Sequence, residues 1–264
     1  MLSELEVWFL PNNLRASSKK AAILLKNVNY DALFLNVPRE FGWLVDELAS
    51  GAPYEQFIEK VRQLSVLRES IVSWEYKFKP IFLAIRGLKL KKSDLKIICY
   101  RESAFENLST GIAEEIATLI LRVSITGKVD VNEWRSIISK VISGFSILIS
   151  NECNYILETW IENCRERKTI CFLDYPAKRL VKRARELGIR ATLRCVLTPY
   201  IFTPLEVLLR EFIMASERRF YISNARIEKL IRMHTEFIRN YILTSDCYDE
   251  AYFRWLRDGH YKQY

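Results

Sequence analysis

Five short apolar runs constrain the fold more than any other feature of this chain: LEVWFL (5–10), DALFLN (31–36), LKIICY (95–100), KTICFL (168–173) and ATLRCV (191–196). Most are rich in β-branched or aromatic residues, and several lack polar alternation. A short run without alternation suits a strand covered on both faces, as in a parallel sheet. Helical patterns separate the runs, and strand–helix–strand repeated in this way implies right-handed crossovers. The predicted fold is therefore α/β: a mainly parallel sheet of about five strands with helices on both faces. A large helical insertion and a helical C-terminus accompany it.

The clearest single unit is residues 168–196. Asp174 follows a strand and is placed to cap the next helix, and Pro176 suits its first turn. Ala177, Leu180, Val181, Ala184 and Leu187 recur at helical spacing as an inward face, and Gly188 closes the helix. After the first strand, SSKKAAILLKN predicts a helix with Ser17 or Ser18 as N-cap. Helical insertions are expected at about 39–92 and 103–165, with Asp130 capping a long helix and Glu133 three residues on. The expected division is an α/β domain over 1–202 and a C-terminal helical extension over 203–264 packed on it. In that extension Ile227, Leu230, Ile231, His234, Phe237, Ile238 and Tyr241 form one stripe, fit either for packing within the chain or for docking a protein partner.

Half of the 264 residues are hydrophobic, enough for a substantial core and against disorder. Ile/Leu runs alongside abundant Lys, Arg and Glu give a thermophile-like composition. No apolar stretch is long enough for a transmembrane helix, so no membrane role is expected. The N-terminus lacks a secretory pattern, and the expected location is cytoplasmic. None of the six cysteines lies in a C-x-x-C pair; Cys99, Cys171 and Cys195 sit in apolar runs and read as small buried hydrophobes.

Ligands of an open parallel sheet bind at the carboxyl ends of the strands. Those ends nominate Asn12 and Asn13; Asn36 with Arg39 and Glu40; Arg101 and Glu102; Asp174 and Tyr175; and Tyr200. Arg39, Arg101 and Asp174 are the candidates for catalysis, the arginines as anion clamps. No glycine-rich phosphate loop follows a strand, which disfavours ordinary nucleotide binding, and no cofactor is expected. His234 and His260 are far apart in sequence, and their spacing offers no metal site.

The net charge of +8 favours anionic partners. Its densest expression is the segment with Lys178, Arg179, Lys182, Arg183, Arg185, Arg190 and Arg194, opposed only by Glu186. That segment reads either as a solvated helix face or as a surface for nucleic acid or an acidic protein. Tyr175 and Tyr200 would add stacking surfaces for bases.

From about residue 5 to 197 the layout resembles the TraB/ChaN/erythromycin-esterase-like superfamily. The segments that carry the likeness are LEVWFLPNNLRASSKKAAILLKNVNYDALFLNVPREF and NECNYILETWIENCRERKTICFLDYPAKRLVKRARELG. Where members of that family have a histidine after the first strand, this chain has Pro11-Asn12-Asn13. Asn36 stands in place of their glutamate, and Asn151-Glu152 in place of an Arg-Glu pair. Leu173-Asp174-Tyr175-Pro176 replaces a Gly-x-x-His. Neutral Asn does not replace an imidazole and a carboxylate at a metal. The resemblance therefore implies a chemically silent relative. The basic segment and the lack of a recognisable catalytic set lead to the expectation of a non-catalytic binding or scaffold protein. The alternative is a hydrolase with an altered active site at the strand ends.

Overall fold

The computed structural model describes residues 4–11, 13–67, 69–164, 167–174 and 177–263. Strands β1 (Glu4–Phe9), β2 (Ala32–Pro38), β3 (Lys96–Arg101), β4 (Lys168–Leu173) and β5 (Arg190–Cys195) form one sheet in the order β3-β2-β4-β1-β5. Every pairing is parallel, as the unalternated runs predict. The chain is an α/β protein with helices on both faces of the sheet and a helical C-terminus.

Side-chain alternation divides the strands between two cores. Trp8, Leu33, Leu35, Ile97, Ile170 and Phe172 face one side, which is covered by α1 (Arg15–Leu25), α2 (Gly42–Ala49), α3 (Tyr54–Leu64) and α4 (Ile71–Ile85). Leu5, Val7, Phe34, Tyr100, Cys171 and Leu173 face the other. There they meet the end of α7 (Val131–Asn163) and α8 (Ala177–Glu186). The short α5 (Leu88–Lys91) leads into β3, and α6 (Ser103–Thr126) follows it.

The connections from β1 to β2 and from β2 to β3 run one way across the sheet with helices on the first face. Those from β3 to β4 and from β4 to β5 run back with helices on the second. Direction and face reverse together, as right-handed crossovers require. Neighbouring β2, β4 and β1 therefore send their connections to opposite sides, the topology in which open α/β sheets bind ligands at the carboxyl ends of their strands.

The chain divides into two compact units: residues 1–107 with 148–198, and 108–147 with 199–264. The first holds the sheet. In the second, α9 (Pro204–Arg218), α10 (Asn224–Phe237) and α11 (Tyr248–Asp258) join parts of α6 and α7. Its core includes Leu119, Trp134, Ile138, Leu208, Ile227 and Leu230. Here the stripe of α10 serves the unit's own interior, with Ile227, Leu230, Ile231, His234 and Phe237 all buried.

Some local expectations need correction. α1 begins at Arg15, and Ser17 and Ser18 lie buried inside it instead of capping it. The Ser17 hydroxyl donates to the carbonyls of Pro11 (2.9 Å) and Leu14 (2.6 Å), tying the first helical turn back to the end of β1. Cys195, the last residue of β5, is exposed, whereas Cys99 and Cys171 are buried. Asp130 does cap α7: its carboxylate accepts from the amides of Asn132 (3.0 Å) and Glu133 (3.1 Å).

Candidate functional site at the strand ends

Arg101, the last residue of β3, is a cation placed almost out of water; its side chain is 5% exposed. Burying an unpaired guanidinium would be prohibitive, so it must be paired. Its Nη2 donates to Asp174 Oδ2 at 2.9 Å, just beyond β4. Its Nε lies 3.5 Å from Glu152 Oε1, on α7. The guanidinium also stacks 4.1 Å from the Phe105 ring centre. One buried cation thus joins a strand end, a helix and a strand-to-helix loop.

Arg39, just beyond β2, builds a second node beside the first. Its Nε donates to the Tyr100 carbonyl (2.9 Å), its Nη2 to Glu102 (3.3 Å), and its guanidinium lies over the Tyr155 ring at 3.7 Å. The Tyr100 hydroxyl donates to the Phe172 carbonyl at 2.7 Å, crossing to β4.

Two guanidiniums therefore face three carboxylates: Glu102, Glu152 and Asp174. Burial pushes the Glu152 carboxyl up to about 7; Arg101 opposes that rise, Asp174 adds to it, and the Glu102 amide donates to the carboxylate. Burial also works against the charge of Arg101, yet Asp174 and Glu152 more than offset it and hold the guanidinium's pKa above its ordinary value. Near neutral pH Glu152 takes up a proton readily, which balances the two cations against the remaining acids.

The three residues nominated for catalysis are thus brought to one region, but in another role from an open clamp. Arg101 and Arg39 direct their donors at groups of the protein itself, and only Asp174 and Arg39 reach the surface. Asn36 is buried and lies within β2, which runs on to Pro38, so it is not a residue of the following loop. Glu40 and Asn13 are exposed. Asn12, Tyr175 and Pro176 lie outside the described residues. Tyr200 belongs to the helical unit, where its hydroxyl donates to Glu206 (2.6 Å) and its ring stacks on Tyr252 at 5.6 Å. Among the described residues no group of His, Cys, Asp or Glu side chains is arranged to hold a metal ion. Glu152 was not among the strand-end candidates, because it lies within α7 and follows no strand.

The basic segment is less uniform than it reads in sequence. Lys182 lies 3.8 Å from Glu186, Arg190 4.0 Å from Glu4, and Arg194 3.7 Å from Glu6. Arg185 donates to the Ala191 carbonyl at 3.0 Å. Lys178, Arg179 and Arg183 make no ion pair among the described residues. Lys178 and Arg179 are exposed in the first turn of α8, which holds no acid, and Arg183 is half-buried. No helix is long and apolar enough to cross a membrane among the described residues. Compared with protein-family models, curated proteins and solved structures, the chain has no match.

Proposed function

We propose that the protein is a non-catalytic binding protein that takes a polyanion, nucleic acid foremost, on the exposed basic face of α8. The observation that carries this reading is the placement of Lys178, Arg179 and Arg183 on one short helix, three cations without ion pairs among the described residues. Two of them stand in the first turn, where the helix dipole disfavours a cation by about 0.3–1 kcal/mol. Lys178 with Lys182, and Arg179 with Arg183, are like-charged i,i+4 neighbours, each pair unfavourable by about 0.2–0.5 kcal/mol. A bound phosphate chain relieves both penalties at once. The inward use of Arg39 and Arg101 supports the same reading, since Arg39 Nε and Nη2 and Arg101 Nη2 donate to carbonyl and carboxylate groups of the protein itself.

Filter binding with single- and double-stranded nucleic acid, across a salt series, tests this. The affinity is expected to fall steeply with salt. Replacing Arg179→Glu and Arg183→Glu together should reduce the slope of log K against log salt by about 2, one for each phosphate left unneutralised. Absence of binding at about 50 mM salt, where attraction to phosphate is strongest, sinks the reading.

A further inference from the structure

The sheet has two edge strands. At one edge, β5 carries Arg190 and Arg194, each facing an acid of β1, Glu4 and Glu6. At the other, β3 reads Lys-Ile-Ile-Cys-Tyr-Arg, with no charge and no proline over Ile97–Cys99. The Lys96 amide donates to the Asp31 carbonyl and Lys96 sits opposite Ala32, so Lys96, Ile98 and Tyr100 turn their backbone groups toward β2. Ile97 and Cys99 consequently turn their N–H and C=O groups away from the sheet. Among the described residues nothing pairs with them; β2 is the only strand against β3.

Ile97, Ile98 and Cys99 of this edge line a shallow open slot of about 320 Å³. Gly42, Trp43 and Asp46 of α2 stand along one wall, with Tyr155 of α7 and Arg39 also lining it. Trp43 is 51% exposed, a large aromatic surface beside unpaired backbone. A Cβ built on Gly42 would meet nothing within 4 Å, so there is open space beside it. The slot's charges are already matched: Arg39 with Glu102 at 3.3 Å and Asp46 with Lys89 at 2.7 Å. An occupant complementary to this lining is uncharged along its length and supplies alternating backbone donors and acceptors.

We infer that the β3 edge is a peptide-binding slot that takes an extended, uncharged segment of another protein as a sixth strand, by main-chain hydrogen bonds to Ile97 and Cys99. Trp43 and the space beside Gly42 receive side chains from the added strand, which alternate about the strand with a period of two. A second copy of this chain is a poorer occupant, because its own β3 would arrive between its own walls.

The probe is a short acetylated and amidated peptide of alternating valine and threonine, added to the full chain. Amide exchange at Ile97 and Cys99 should slow about tenfold when the peptide stands at ten times its Kd, while exchange along β5 stays unchanged. Two further peptides, N-methylated on one edge or on the other, should differ: one binds and the other does not. Gly42→Leu, whose side chain enters open space, should keep the melting temperature and weaken the peptide by about tenfold or more. Equal binding of both N-methylated peptides overturns main-chain pairing. Free exchange at Ile97 and Cys99 under millimolar peptide overturns the slot. Protection that grows with protein concentration and needs no peptide assigns the edge to a second copy, and overturns the peptide occupant.

Discussion

At Glu152 burial removes the water that would solvate a carboxylate, and Arg101 compensates only in part. The resulting pKa of about 7, against an ordinary 4.5, has a definite consequence for stability. Between those values the folded protein holds a proton that the unfolded chain has lost. The contribution is fully present below about pH 4.5 and is lost as pH rises through about 7. Across that window the melting temperature of Glu152→Gln, which keeps the shape and removes the ionisation, should gain on that of the wild type as pH rises. His234 works in the opposite sense. Burial lowers its pKa to about 4 from 6.5, so the unfolded chain binds the extra proton between those values. Its contribution is present above about 6.5 and lost as pH falls through 4. His234→Leu should therefore make the acid limb of the stability profile shallower; an unchanged limb counts against a neutral buried imidazole. Of the strand-end cluster, Arg101 and Asp174 were legible in the sequence, because a residue that ends an apolar run is placed by the run itself. Glu152 was not, since Arg101, the partner that makes it special, lies far away in the chain and meets it only in the fold.

Helix boundaries were legible wherever a capping residue acts locally. Asp130 and Gly188 are such cases, and Ser17 is the counterexample: its hydroxyl found carbonyls at a strand end and lost its capping role. Gly188 closes α8 with φ at +76° and open space around the missing Cβ. Substitution by Ala there adds backbone strain without a clash, and the expected loss is about 1 kcal/mol. Thermal unfolding of Gly188→Ala checks this; an unchanged melting point would mean that the turn relaxes at no cost. α8 also shows how far a charge pattern can be read. Its basic face is plain in the sequence, but the neutralisation of Arg190 and Arg194 comes from Glu4 and Glu6 on the neighbouring β1, which only strand order brings there.

For the molecule as a whole, the unexpected feature is a helical unit assembled from two separated stretches, 108–147 and 199–264. Leu119, Trp134 and Ile138 of the first stretch share a core with Leu208, Ile227 and Leu230 of the second. A fragment ending at residue 202 would leave that first stretch uncovered. It is expected to bind the dye ANS strongly and to self-associate. A version that joins residue 107 to 148 and ends at 198 keeps both sheet cores and should remain folded by circular dichroism and calorimetry. Equal behaviour of the two fragments would contradict the division.

The sequence by itself determined the parallel sheet and the helical C-terminus, because those follow from periodicities of a few residues and from the burial that such runs demand. Tertiary structure alone decided which strand became an edge, which cations were neutralised, and which acid was driven toward neutrality. Each of those depends on residues tens of positions apart meeting in space, where the loss of water and the nearness of an opposite charge set the chemistry.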